Sequence, residues 1–154
     1  MTAASDTTAA LGPPLIGALL RIPVDVVRRR MLEALHERGF NDIVPAHLVL
    51  LSWPGPQGRR PSELAAQAQM TKQAVNYLLG QLELLGYVER RPDPKDQRSR
   101  RVQLTPRGRD VAESMRDTVS EIETEWRALL GDDDFDRLRT LLTRLNDALA
   151  TPPD

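Results

Sequence analysis

The residues whose types and spacing carry the most legible chemistry lie in the run MTKQAVNYLLGQLELL, residues 70–85. Val75, Leu78, Leu79, Leu82 and Leu85 recur at i, i+3, i+4, i+7 and i+10, which predicts a helix with one apolar stripe. Gln73, Asn76, Tyr77 and Gly80 fall on the opposite face. Solvent alone would favour Glu and Lys there, for propensity and solubility. Amide and phenol groups are instead the donors and acceptors that pair with base edges in a major groove, and glycine allows close backbone approach. The plainer alternative is a polar surface helix. Thr71 stands where an N-cap is expected, and with Lys72 it would anchor a phosphate at the helix N-terminus.

A second candidate is ERRPDPKDQRSRRVQLT, residues 89–105. Pro92 and Pro94 rule out a helix interior and would interrupt a central strand, so the alternations YVER and RVQL predict two short strands of a hairpin with a basic tip. Arg90, Arg91, Lys95, Arg98, Arg100, Arg101, Arg107 and Arg109, with Arg60 upstream, suit phosphate contact, and Arg98 suits a minor groove. Asp96, two residues before Arg98, is expected to orient that guanidinium by a bidentate pair and so support the loop. Asp93 and Asp96 can equally be turn formers.

Other chemistries find little support. The chain has no cysteine, which excludes disulfides and thiolate metal sites. It also lacks G-x-S-x-G, G-x-x-x-x-G-K-[ST] and H-E-x-x-H, so no enzyme, cofactor or metal site is predicted. His36 and His47 would need carboxylates from elsewhere to bind zinc, and a core or surface role is expected of both. Trp53 and His47 are placed in the core ahead of a pocket lining. Glu121 and Glu125 read as part of a solvated acidic face.

The elements that must position these residues are mostly helical. Residues 1–14 read as a disordered arm. Leu15 to Arg38 has helical apolar spacing ending at Gly39, with Pro23 expected to kink the helix or start a second one. Residues 44–53 predict a short buried helix, PGPQGRRP a loop, and PSELAAQAQ a helix opened by Pro61. After Thr105-Pro106, Val111, Met115, Val119, Ile122, Trp126 and Leu129 predict a long helix. Phe135, Leu138, Leu141, Leu142, Leu145 and Leu149 predict a last one. These stripes are longer than one small lobe can bury, which points to a two-fold partner.

Charge is segregated along this plan. Residues 1–57 are neutral, residues 58–109 hold eleven basic against five acidic side chains, and residues 110–154 hold five against twelve. A basic middle is the footprint of a polyanion surface. With no basic n-region and no long apolar run, the expectation is a cytoplasmic protein without a membrane span.

The order helix, tight turn, helix, strand, basic tip, strand makes the finger a wing. Residues 61–109 resemble the MarR (multiple antibiotic resistance regulator) family. The resemblance rests on Pro61-Ser62-Glu63-Leu64-Ala65, Thr71 to Leu85, Gly86-Tyr87-Val88-Glu89-Arg90, Asp93-Pro94, Asp96, Arg98, Val102, Leu104-Thr105 and Gly108. It extends more loosely to about residues 15–150. Three positions depart from the family pattern: Arg60 in place of a capping Ser or Thr, Gln69 at a turn where glycine is common, and Gly80 in place of an acidic residue.

The resemblance implies a mainly α fold with a two- or three-stranded β wing. Residues 15–57 would be N-terminal dimerisation and support helices, 58–109 the winged helix-turn-helix, and 110–154 C-terminal dimerisation helices. It also implies a homodimeric regulator, commonly a repressor, on a pseudo-palindromic double-stranded DNA operator, with a pocket for a small aromatic or phenolic effector. The alternatives are a winged-helix protein-interaction module and, ranked lower, a zinc sensor using His36 and His47.

Overall fold

The computed structural model describes residues 13–52, 55 and 57–150, so the expectations for residues 1–12 and for Trp53 lie outside the described residues. Its elements are α1 (Ile16–Glu37), α2 (Pro45–Leu51), α3 (Pro61–Ala68), α4 (Lys72–Leu84), β1 (Val88–Asp93), β2 (Asp96–Leu104), α5 (Pro106–Leu130) and α6 (Asp132–Ala150). None of these helices is long and apolar enough to cross a membrane.

α1 runs as one element with Pro23 inside it, where a kink or a second start was expected. Proline removes one backbone hydrogen bond, but the later turns pack Met31, Leu32 and Leu35 into the core and α1 lies along α5, so tertiary contacts hold the helix through the gap. The chain leaves α1 at Gly39, whose φ of 90° lets Phe40 N–H return to the Leu35 carbonyl at 3.0 Å.

The core gathers the inner faces of α1 to α5 and the wing base. Leu35, Leu48, Leu50, Leu51, Leu64, Val75, Leu79, Leu82, Val102 and Val111 are all buried in it. At about 1.5–3 kcal/mol for each large apolar side chain removed from water, this cluster is the main force behind the fold. The stripe expected on residues 75–85 forms its α4 contribution, with Val75, Leu78, Leu79 and Leu82 buried and Leu85 half-buried. Thr71 Oγ1 accepts the Ala74 N–H at 3.1 Å and caps α4.

β1 and β2 pair antiparallel from Val88↔Leu104 to Pro92↔Arg100, and a register shift follows Pro92. A third strand is reduced to one bridge: Arg59 N–H donates to the Val102 carbonyl at 3.0 Å, and Val102 N–H returns to the Arg59 carbonyl at 2.8 Å. α5 starts hard against the wing base. A Cβ on Gly108 would stand 1.9 Å from the Tyr87 carbonyl oxygen, so only glycine fits. At the far end of the molecule Leu129, Leu138, Leu141, Leu145 and Leu149 are exposed, as are Leu15, Ile16, Leu19 and Ile22 around the start of α1.

The turn between α3 and α4 needs a left-handed residue, and the chain places Gln69 there at φ 51°, ψ 42°. A side chain in that region costs about 1–2 kcal/mol. Gln69→Gly is expected to raise stability by about 1 kcal/mol, part of the relief being offset by the greater freedom of glycine in the unfolded chain. Urea unfolding at fixed protein concentration checks this; an unchanged or lower midpoint would show that the turn carries no strain.

Candidate nucleic-acid interface

α4 presents Lys72, Gln73, Asn76 and Tyr77 to solvent, with the capping Thr71 also exposed. Tyr77 is 68% exposed, a large value for an aromatic side chain. A Cβ at Gly80 would meet nothing within 4 Å, so this stretch of the helix surface is open to an approaching molecule. The residues expected to read bases therefore share one uncovered face, held from behind by the buried stripe.

The wing is organised by a residue to which the sequence reading gave only a turn role. Asp93 is wholly buried, and its carboxylate accepts the Lys95 N–H at 2.9 Å and Arg60 Nε at 2.9 Å, with Arg101 Nε 3.1 Å away. Arg101 Nη1 also donates to the Gly58 carbonyl at 3.0 Å. The Lys95 backbone hydrogen bond, acting with Arg101 and Arg60 against desolvation, holds the Asp93 carboxyl at about 2. The pair with Asp93 in turn raises the Arg60 guanidinium above its usual range.

This arrangement revises several expectations. Arg60 is engaged by Asp93 rather than left for phosphate, and the missing cap on α3 is partly supplied by Glu63, whose carboxylate accepts the Arg60 N–H at 2.8 Å. Arg90 pairs with Glu83 at 3.4 Å and Arg91 with Glu89 at 2.9 Å. The Asp96 carboxylate accepts the backbone N–H of Arg98 at 3.1 Å, so it shapes the turn instead of orienting the guanidinium. Lys72, Lys95, Arg98 and Arg100 are exposed and form no ion pair among the described residues.

The other end of the wing is locked to the helices. Buried Tyr87 donates its hydroxyl to Asp42 in a short hydrogen bond and accepts from Arg107 Nη2 at 2.9 Å, while the Arg107 guanidinium lies 4.6 Å over its ring. Burial, then the Asp42 carboxylate, pushes the Tyr87 hydroxyl above the usual phenol range. The histidines are hydrogen-bonded rather than gathered: the His36 ring bonds the Ile43 carbonyl, and buried His47 bonds Gln81. Glu125, expected on a solvated face, pairs with Arg30 of α1.

Between the lobe and α5 lies a cleft of about 450 Å³ whose lining includes Leu51, Ser52, Leu104, Arg109, Ala112, Glu113 and Arg116. A second cleft of about 420 Å³ adjoins it through Leu51, Ser52, Ala112 and Arg116, and extends to Met31, Met115 and Val119. His47 lines neither of them.

Comparison with known proteins agrees with this geometry. Residues 42–99, which take in α2, α3, α4 and most of the wing, match a family model described as MarR family. Over these residues the chain is similar to the MarR family. One curated relative of similar sequence is the uncharacterised HTH-type transcriptional regulator YkoM of Bacillus subtilis strain 168, 33% identical over 79 residues. That match covers 51% of this chain, and the chain spans about half the length of that relative.

Among solved MarR-family structures, the Mycobacterium tuberculosis protein Rv2887 in complex with salicylic acid is 28% identical, with a TM-score of 0.62 over 87% of this chain and 98% of its own. The transcriptional repressor CouR bound to a 23-mer DNA duplex is 26% identical, with a TM-score of 0.65 over 86% and 92%. These likenesses take in the flanking helices as well as the lobe, and support the mainly α winged helix-turn-helix fold across the chain.

The depressed Asp93 carboxyl makes wing stability depend on pH with a definite sign. Its folded value lies below the ordinary 3.8, so the stability it contributes is fully present above about pH 5 and is lost as pH falls through about 2. Asp93→Asn lacks that charge. The stability gap between wild type and variant, followed by thermal unfolding, is expected to stay constant above about pH 5 and to close between about pH 4 and pH 2. A gap that does not change with pH would mean that the carboxylate charge does not hold the wing.

Proposed function

We propose that the chain is a homodimeric transcriptional regulator, acting as a repressor, that binds a pseudo-palindromic DNA operator. The observation that carries this reading is the open face of Gln73, Asn76 and Tyr77, with Lys72 and the capped start of α4 at one end. In this reading α4 enters a major groove, Gln73, Asn76 and Tyr77 meet base edges, and Thr71 and Lys72 hold phosphate. Lys95, Arg98 and Arg100 carry the wing to the backbone and minor groove, while Arg60, Arg90 and Arg91 build the lobe through their acidic partners. CouR on its DNA duplex supports the assignment of partner.

The exposed leucines of α6 and the apolar start of α1 support the dimer, because scattered exposure is ordinary but helical stripes of this length call for a partner surface. Two α4 helices related by a two-fold axis would address half-sites about 10 bp apart. The cleft beside α5 has the size of a small-molecule site. Arg116, which forms no ion pair among the described residues, fits it for an aromatic anion, and the salicylate bound to Rv2887 supports that class. Such an effector would act by its differential affinity for two spacings of the lobes.

Fluorescence anisotropy on a duplex from the chain's own upstream region and on a shuffled copy, at about 0.15 M salt, tests the reading. Preference for the native duplex by about 10³-fold is expected, and equal weak binding across candidate promoters would favour a protein-interaction module instead. On the preferred duplex Arg98→Ala should weaken binding and lower the salt slope by about 1, and an unchanged slope would remove Arg98 from phosphate. Salicylate should raise the melting temperature of wild type and not of Arg116→Ala; equal shifts in both would move the effector out of this cleft.

A further inference from the structure

Three hydrogen bonds lead from the lobe core to the open face of α4. The Val44 backbone N–H donates to His47 Nδ1 at 3.3 Å, His47 Nε2 stands 3.0 Å from Gln81 Oε1, and Gln81 Nε2 donates to the Tyr77 hydroxyl at 3.1 Å. Their directions are set by chemistry. A backbone N–H can only donate, so Nδ1 must accept, and a neutral ring then carries its proton on Nε2. That N–H needs an acceptor, which turns the Gln81 amide oxygen inward and its NH₂ outward to Tyr77. The phenol oxygen accepts from Gln81, and the single phenol hydrogen is left to point elsewhere.

We infer that Gln81, oriented by His47, fixes Tyr77 as a hydrogen-bond donor toward DNA, and that Gln81 and His47 are positioning residues for sequence preference. The inference deepens the DNA-binding reading above and rests on it. A Gln–Tyr contact at i, i+4 on a free helix would be a minor surface pair. Here the amide is anchored at its other end by a buried histidine on a different helix, so its orientation is imposed by the lobe core. The partner of the phenol hydrogen is an acceptor: N7, O6 or O4 on a base edge, or a phosphate oxygen. A Tyr77 free to rotate its hydroxyl would serve donors and acceptors alike, whereas one held in this way discriminates.

The test is a double-mutant cycle in the full chain on the duplex that wild type prefers, using Tyr77→Phe, Gln81→Met and the double variant, with thermal melts of each. Tyr77→Phe is expected to weaken binding about fivefold, Gln81→Met two- to fivefold, and the double variant about as much as Tyr77→Phe alone. Single substitutions of 7-deazapurine (no N7), 2-aminopurine for guanine (no O6), 5-methyl-2-pyrimidinone for thymine (no O4) or a methylphosphonate then locate the acceptor. One of them should cost wild type about fivefold and cost Tyr77→Phe nothing, with a base analogue marking a base edge and the methylphosphonate a phosphate.

Additive losses in the cycle would give Gln81 a role independent of Tyr77 and overturn the inference, as would wild-type affinity in Tyr77→Phe. Should Gln81→Met melt the lobe, the modified duplexes with Tyr77→Phe still decide whether the phenol donates. Absence of any preferred duplex for wild type would sink the DNA-binding reading itself, an outcome distinct from a preferred duplex on which Tyr77 and Gln81 act additively.

Discussion

A carboxylate withdrawn from water in the middle of a hairpin must find donors, and the shape of the winged lobe follows from where Asp93 finds them. Arg60 comes from the residue before α3, Arg101 from β2, and the Lys95 N–H from the turn itself. A thin two-stranded ribbon buries too little apolar surface to be stable alone. Charge-assisted bonds to one central acceptor supply what the apolar core cannot reach at that end, and by joining three segments they fix the angle at which the wing leaves the helix-turn-helix. The density of arginine around the wing thus has two origins, some side chains holding the ribbon in place and others facing outward.

Tyr87 does the corresponding work at the wing base. Its ring is buried beside Phe40, its hydroxyl joins Asp42 and Arg107, and its carbonyl stands where a side chain on residue 108 would have to go. The loop after α1, the first wing strand and the first turn of α5 meet at this one residue. The wing is pinned by ion pairs near the tip and by close packing at the base, and its exposed cations Lys95, Arg98 and Arg100 cluster at the tip end.

Much of this was legible from residue order. The leucine period on residues 75–85 and the Thr71 cap announce α4, and two prolines between short alternations announce a hairpin, because local sterics and periodicity determine both. The turn at Gln69 was legible only through the resemblance, which puts glycine at that position. What sequence could not show is pairing at a distance. Arg60 and Asp93 stand 33 residues apart, and nothing local tells an arginine that will meet a buried carboxylate from one that will meet phosphate. A purely charged count therefore overstated the free cations of the wing. Likewise Pro23 argued for a kink or a second helix start, and α1 runs on as one element because packing along α5 outweighs one lost backbone bond. Gln81 gave no signal beyond its place one turn after Tyr77, and His47 only that of a histidine in an apolar run.

α5 is 25 residues of uninterrupted helix, held by the lobe at its first turn and adjoining α6 at its last. At 1.5 Å per residue it is a rod about 37 Å long, so a tilt of about 5° at one end displaces the other by about 3 Å. That is close to the ~3.4 Å rise of one base step along a strand. With its α6 end fixed, the helix is a lever that carries the lobe, so a small tilt moves its first turns, where Arg109, Ala112 and Arg116 line the cleft, by about that length.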